Sequence, residues 1–151
     1  MKHSFILKRQ PKSYNGWNQS SATKKANYKQ SIVDSFNKYN TLEEVITEEL
    51  YGLLYYFFKR DYQTDADNLS KPIWDCLRGF LFNDDYQVKL RVAGSVNLSH
   101  HDFQIFDTTG LSGDLIIDLI EAVDNEQHFV YVECGSLDYS MFKFNMQTNG
   151  N

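Results

Sequence analysis

The fold of this chain is decided by residues 65–92, DADNLSKPIWDCLRGFLFNDDYQVKLRV. An apolar stripe at helical spacing predicts a helix over Leu69–Leu81. The stripe consists of Leu69, Ile73, Leu77 and Phe80. Pro72 falls near the first turn of that helix, where proline is tolerated. Alternating apolar and polar residues in Val88–Val92 predict a strand with one buried face, so the stretch reads as a helix leading into a sheet.

The rest of the chain divides into similar elements at its turn residues. We predict further strands at Ser4–Arg9, in the aromatic run that ends Glu43–Phe58, and at Phe129–Cys134. We predict further helices over Thr23–Tyr39 and after Ser112, which can cap its helix. Lys12 to about Ala22 is polar and reads as an exposed loop. The order β-α-β-α-β-α-β indicates an α+β fold, a small mixed β-sheet with packed helices.

Length and composition favour one domain over residues 1–151. With 42% hydrophobic residues, the chain can build a hydrophobic core without disulfides or structural metal ions. Two cysteines cannot form a disulfide framework, and no signal peptide is recognisable, so we expect a cytoplasmic protein. The longest apolar run has nine residues, Leu50–Phe58, about half of the ~20 that a membrane helix needs. Gln147–Asn151 is expected to be a frayed tail.

Charge is distributed unevenly along the chain. The net charge is −5, yet residues 1–40 hold eight Lys/Arg and one acid, whereas residues 41–151 hold seven and nineteen. Such a split is compatible with a basic binding surface beside acidic functional groups, or with solvated faces alone.

The acidic residues within residues 65–92 are candidates for binding a metal ion. Asp65 and Asp67 are two positions apart, and in extended backbone both side chains point the same way. Two close carboxylates are costly unless a proton or a cation lies between them. Lys71 follows one turn later, and Asp84 and Asp85 stand just before a strand. Hard oxygen ligands beside a lysine suit Mg²⁺, which can activate water and neutralise phosphate charge.

A structural interpretation of the same residues stays open, because an Asp before a helix is often only its cap. Other motifs fail on detail. A calcium loop starting at Asp65 would need Gly and Glu where Ser70 and Cys76 stand. Glycine-rich phosphate loops are absent.

These residues together resemble a known family. The pattern Asp65-x-Asp67-Asn68-Leu69, followed by Asp84-Asp85-x-Gln87-Val88, resembles the RusA family of Holliday-junction resolvases over residues 65–92 and more loosely upstream. The resemblance implies a small mixed α/β fold, an intertwined homodimer and Mg²⁺-dependent cutting of branched DNA. By the same resemblance, the essential acids and metal ligands fall on Asp65, Asp67 and Asp85, the essential lysine on Lys71, and a helper on Asp84.

The chain also departs from the family pattern. Asn97–Gln127 resembles an insertion relative to the family's shorter C-terminal region. The overall acidity is unusual for an enzyme that binds DNA. The basic N-terminal residues, doubled in a dimer, are expected to supply the DNA-binding surface. These candidates are Lys8, Arg9, Lys12, Lys24, Lys25 and Lys29.

The sequence therefore predicts a Mg²⁺-dependent endonuclease that resolves four-way DNA junctions in recombination and repair. We expect it to bind branched DNA and a second copy of the chain, and we expect no association with a membrane. The alternatives are a non-catalytic dimer that binds branched DNA or protein on the same fold, a Mg²⁺-dependent phosphatase or nucleotide hydrolase, and a domain whose acids are merely solvated. The phosphatase is disfavoured because residues 60–64 separate Asp65 from the preceding apolar strand.

Overall fold

One mixed four-stranded sheet organises the chain. The computed structural model describes residues 1–60, 63–99 and 107–143. The strands are β1 (Lys2–Leu7), β2 (Leu50–Phe58), β3 (Val88–Asn97) and β4 (His128–Ser136). They lie in the order β1-β4-β2-β3. β4 is antiparallel to both neighbours, whereas β2 and β3 are parallel, which confirms the predicted mixed sheet.

Helices cover both faces of the sheet. They are α1 (Tyr14–Asn18), α2 (Ala22–Tyr39), α3 (Ala66–Leu77) and α4 (Gly113–Asn125). On one face, buried residues of α2 and α3 share a core with Phe5 and Leu7. On the other face, α4 packs against Ile6 and Phe129. Because neighbouring strand residues point to opposite faces, each strand contributes to both cores. No helix in the described ranges is long and apolar enough to cross a membrane.

The helix predicted within residues 65–92 occupies different residues in the structure. We expected Leu69–Leu81, but α3 begins at Ala66 and ends at Leu77. Gly79 adopts a positive φ of 76°, and its N–H donates to the carbonyl of Phe82 at 2.7 Å. This turn stops the helix, since glycine takes such a conformation without steric cost. Pro72 therefore lies inside the helix rather than in its first turn.

Other boundaries were also displaced. The first strand is Lys2–Leu7 rather than Ser4–Arg9, and in the 43–58 segment the strand begins only at Leu50. The stretch predicted as a loop contains α1, whose N-cap Ser13 accepts a hydrogen bond from the Gly16 N–H. The predicted cap of α4 is confirmed, because the Ser112 hydroxyl accepts from Leu115 N–H.

Trp74 fixes α3 against the sheet. A Cβ atom at Gly52 of β2 would lie 2.7 Å from the indole ring of Trp74, so glycine permits the close approach of helix and strand. Trp74 is 1% exposed. The buried side of α3 is thereby anchored, and its polar side faces solvent.

The last third of the chain completes the sheet. α4 covers the second face, and β4 lies between β1 and β2. The interpretation of 97–127 as an insertion remains a prediction. Residues 100–106 of that segment, and the tail 147–151, lie outside the described residues.

Candidate active site

The N-terminus of α3 presents the first two candidate acids to solvent. Asp65 is the N-cap residue, with φ −61° and ψ 140°, and its carboxylate makes no capping hydrogen bond. Asp67 lies in the first turn, where the helix dipole favours negative charge. Both residues are exposed. The expectation that both stand on extended backbone was wrong, because Asp67 is already helical.

Lys71 lies one turn further along α3. Its Nζ is 3.3 Å from Asp75 Oδ1, an ion pair between positions i and i+4. On another side, the same ammonium lies over the ring of Tyr14, 5.3 Å from its centroid. The lysine is therefore held by a carboxylate of its own helix and by an aromatic ring from α1.

The third candidate acid, Asp85, lies between two arginines. Its Oδ2 is 4.0 Å from Arg78 Nη1, and its Oδ1 is 4.0 Å from Arg91 Nη2. Arg91 Nη2 also donates to the backbone carbonyl of Asp85 at 3.2 Å. Contacts of 4.0 Å are too long for hydrogen bonds, and Oδ1 of Asp85 is buried without a hydrogen-bond partner. An unsatisfied buried acceptor is costly, so this oxygen is suited to a ligand.

Gln87 fixes the loop that carries Asp84 and Asp85. Its side-chain carbonyl accepts from the N–H groups of Asn83 and Asp84, both at 2.8 Å. Its amide nitrogen donates to the carbonyls of Ile46 and Glu48 at 2.9 and 3.2 Å. The glutamine of the Asp-Asp-x-Gln motif is 3% exposed, and it links the acidic loop to the chain before β2.

Replacing this glutamine is expected to be strongly destabilising. Gln87→Leu should lower the free energy of unfolding by about 2–3 kcal/mol, because it removes four hydrogen bonds and leaves buried backbone groups unsatisfied. Urea denaturation followed by circular dichroism measures the loss. The matched control is Tyr86→Ala, since Tyr86 lies in the same short turn and is 70% exposed. Equal stability of Gln87→Leu and wild type would contradict the role assigned to this side chain.

The three candidate acids do not form one cluster within a chain. Asp67 is in the first turn of α3, and Arg78, which contacts Asp85, follows its last residue. Asp67 and Arg78 are eleven positions apart. At 1.5 Å per position, their backbones are separated by about 16 Å along the helix axis. Among the residues that the structure describes, no group of three or more His, Cys, Asp or Glu is placed to hold a metal ion.

The candidate DNA-binding residues divide into two groups. Lys8 is paired with Asp118 and Glu121 of α4, at 3.5 and 3.0 Å, so its charge is already compensated. Hydrogen bonds from Lys38 and Tyr39 hold the pKa of Asp118 below its usual range. Asp118 and Glu121 therefore connect α4 to Lys8, which follows β1, and Asp118 connects it to Lys38 and Tyr39 of α2.

The other basic candidates lie on a surface supported by aromatic rings. Arg9 and Lys12 lie over the ring of Tyr28, at 5.1 and 5.8 Å from its centroid. Lys25 lies over Trp17 at 5.5 Å. Lys24 and Lys29 are exposed on α2. A groove of about 350 Å³ adjoins Arg9 and Lys12. It is lined by Arg9, Gln10, Pro11, Lys12, Ser13 and Gly16.

Sequence reasoning missed three side-chain contacts of this site. Arg78 and Arg91 contact Asp85 through the fold, and Tyr14 reaches Lys71 because α1 packs on α3. No spacing pattern along the chain signals these side-chain contacts. The one available sign was the presence of Tyr14 and Trp17 in the polar 12–22 segment, close to Arg9 and Lys12.

Carboxylates, a lysine and a basic surface in one small α+β fold are typical of a nuclease. The model of the family described as endodeoxyribonuclease RusA matches residues 6–100. The match covers more than half of the chain and includes every candidate catalytic residue. The chain therefore belongs to the RusA endodeoxyribonuclease family. No curated protein matches it. α4 and β4 lie beyond the matched residues.

Proposed function

We propose that this protein is a Mg²⁺-dependent, structure-selective endonuclease that resolves four-way DNA junctions by paired phosphodiester hydrolysis in recombination and repair. The observation that carries the proposal is that Asp65, Asp67, Lys71 and Asp85 all fall within the residues matched by the endodeoxyribonuclease family. The exposed acids at the start of α3 and the unsatisfied oxygen of Asp85 support the same role.

The residues present suit Mg²⁺ by their chemistry. Asp65, Asp67 and Asp85 offer hard carboxylate oxygens, and Mg²⁺ is usually bound by one or two carboxylates together with waters and substrate phosphates. These three residues would hold the ion, and Asp84 is a candidate helper beside them. When bound, the ion would supply an acidified water and would neutralise charge on the scissile phosphate.

A homodimer would bring the separated acids together. Asp85 is held near the C-terminal end of α3, whereas Asp65 and Asp67 are at its N-terminal end. We therefore propose that Asp85 of one subunit completes the site formed by Asp65 and Asp67 of its partner. A two-fold symmetric dimer repeats every contact, so it would contain two such sites. Two equivalent sites suit the cutting of paired strands in a four-way junction.

Lys71 would act on the phosphate rather than on the metal ligands. Its ammonium is a compact positive charge on a flexible stem, held here by Asp75 and Tyr14. We propose that it stabilises the negative charge that develops on the phosphate during in-line attack, or orients the attacking water.

The basic surface would position the DNA. Arg9, Lys12, Lys24, Lys25 and Lys29 are the proposed phosphate contacts, since Lys8 is engaged with α4. Contacts of this kind orient a duplex without reading its sequence, which agrees with recognition of a branched structure.

Cleavage of a labelled four-way junction tests the proposal. The purified protein is incubated with the junction or with a matched linear duplex, in Mg²⁺ or in chelator. Paired nicks in the junction alone, lost in chelator, are expected. Binding of the junction without nicks would instead favour a non-catalytic junction-binding protein, the second candidate, which the separation of the acids within one chain favours.

A further inference from the structure

The environment of Lys71 includes one residue with no role so far. The Tyr14 ring centroid lies 5.3 Å from Nζ, and the other restraint is the carboxylate of Asp75 at 3.3 Å. The Lys71 side chain is 42% exposed, so its own packing does not fix its position. A lysine stem loses much rotamer freedom when it is held in one place, and the ring supplies a second point of attachment.

The ring itself is held in place by the structure around α1. Ser13 caps α1 through its hydrogen bond with the Gly16 N–H at 3.1 Å. Trp17 packs at the edge of the main core and lies 5.8 Å from the ring of Tyr28. The backbone N–H of Lys12 donates to the Tyr28 hydroxyl at 3.2 Å. α1 is therefore anchored on both sides of Tyr14, although it has only five residues.

We propose that Tyr14 is the positioning residue for Lys71: its ring face attracts the ammonium and holds it toward the scissile phosphate. This inference rests on the proposed nuclease function. A cation over an aromatic face is attracted by the ring quadrupole, and phenylalanine supplies that face as well as tyrosine does. The tyrosine hydroxyl is therefore not required, and the ring is.

Residues that line the basic groove flank Tyr14 in the sequence. Lys12, Ser13 and Gly16 line the groove on either side of Tyr14 in sequence. DNA bound in the groove would lie beside the segment that carries Tyr14, but the Tyr14 side chain is not among the residues that line the groove.

Two substitutions separate the ring from the hydroxyl. Tyr14→Leu should lower the single-turnover cleavage rate about five-fold, as expected for the loss of a partly exposed cation–π contact, with junction affinity unchanged. Tyr14→Phe should cleave at close to the wild-type rate. In the nuclear magnetic resonance spectrum, the ε-methylene protons of Lys71 should be shifted upfield by the ring in wild type and Tyr14→Phe, but not in Tyr14→Leu.

The outcomes are distinct. A wild-type cleavage rate in Tyr14→Leu would overturn the inference, as would an equal loss in Tyr14→Phe or an unshifted Lys71 resonance in the wild type. A parallel loss of affinity and rate in Tyr14→Leu would assign Tyr14 to DNA binding and overturn it as well. Failure of the proposed function is seen separately: the wild-type protein would then not cleave, while the resonance would still report the contact.

Discussion

The Asp67→Asn protein is expected to bind a four-way junction normally and to cut it at least about 100-fold more slowly than the wild type, a loss of about 2.7 kcal/mol of transition-state stabilisation. Asp67 is exposed in the first turn of α3, so the change to an isosteric amide leaves the packing intact. It removes a proposed carboxylate ligand and the charge that would attract a divalent cation. Single-turnover cleavage and gel-shift binding measure the two quantities separately.

The matched control for this substitution is Asp114→Asn. Asp114 is also exposed and also occupies the first turn of a helix, α4, so both variants lose the same favourable interaction with a helix dipole, about 0.3–1 kcal/mol. A decrease in cleavage is expected for Asp67→Asn alone. Unchanged cleavage in Asp67→Asn, or an equal decrease in both variants, would show that Asp67 is not part of the site.

Local signals in the sequence predicted the elements better than their assembly. The helix predicted over Thr23–Tyr39 is α2, and its buried residues Tyr28, Ile32 and Phe36 recur every four positions, as the helical period requires. Ser112 predicted the start of α4, because a cap is a contact within four residues. The end of α3 was misplaced, since the apolar residue Phe80 continues the helical pattern beyond the turn that Gly79 makes.

The sheet order and the surroundings of Asp85 could not be read from the sequence. β4 is last in the chain, yet it lies between β1 and β2, and no local pattern encodes such an insertion. In the same way, Asp85 meets Arg78 and Arg91 only because the turn after α3 and strand β3 come together. The sequence named Asp65, Asp67 and Asp85 as candidate ligands. Their placement near opposite ends of α3 is a property of the fold and has no signal in the sequence.

Mixing two inactive variants is expected to restore cleavage if the site is shared between subunits. Asp67→Asn and Asp85→Asn chains are refolded together, so that about half of the dimers contain one chain of each kind. In such a dimer, one site combines the intact Asp67 of one chain with the intact Asp85 of the other. The second site carries both substitutions. Cutting capacity should therefore recover to about a quarter of the wild-type value, as nicks in one strand rather than paired cuts.

The control mixture combines Asp65→Asn with Asp67→Asn. Both residues lie at the start of α3, so in every shared site they come from the same subunit. Each site of a mixed dimer therefore carries one of the two substitutions, and no recovery of cleavage is expected. Native mass spectrometry establishes that mixed dimers have formed in both samples. If mixed dimers of Asp67→Asn and Asp85→Asn form and do not cut, each site lies within a single chain. Asp85, whose neighbour Arg78 follows the last residue of α3, would then have to approach the start of α3 by a rearrangement within that chain when DNA binds.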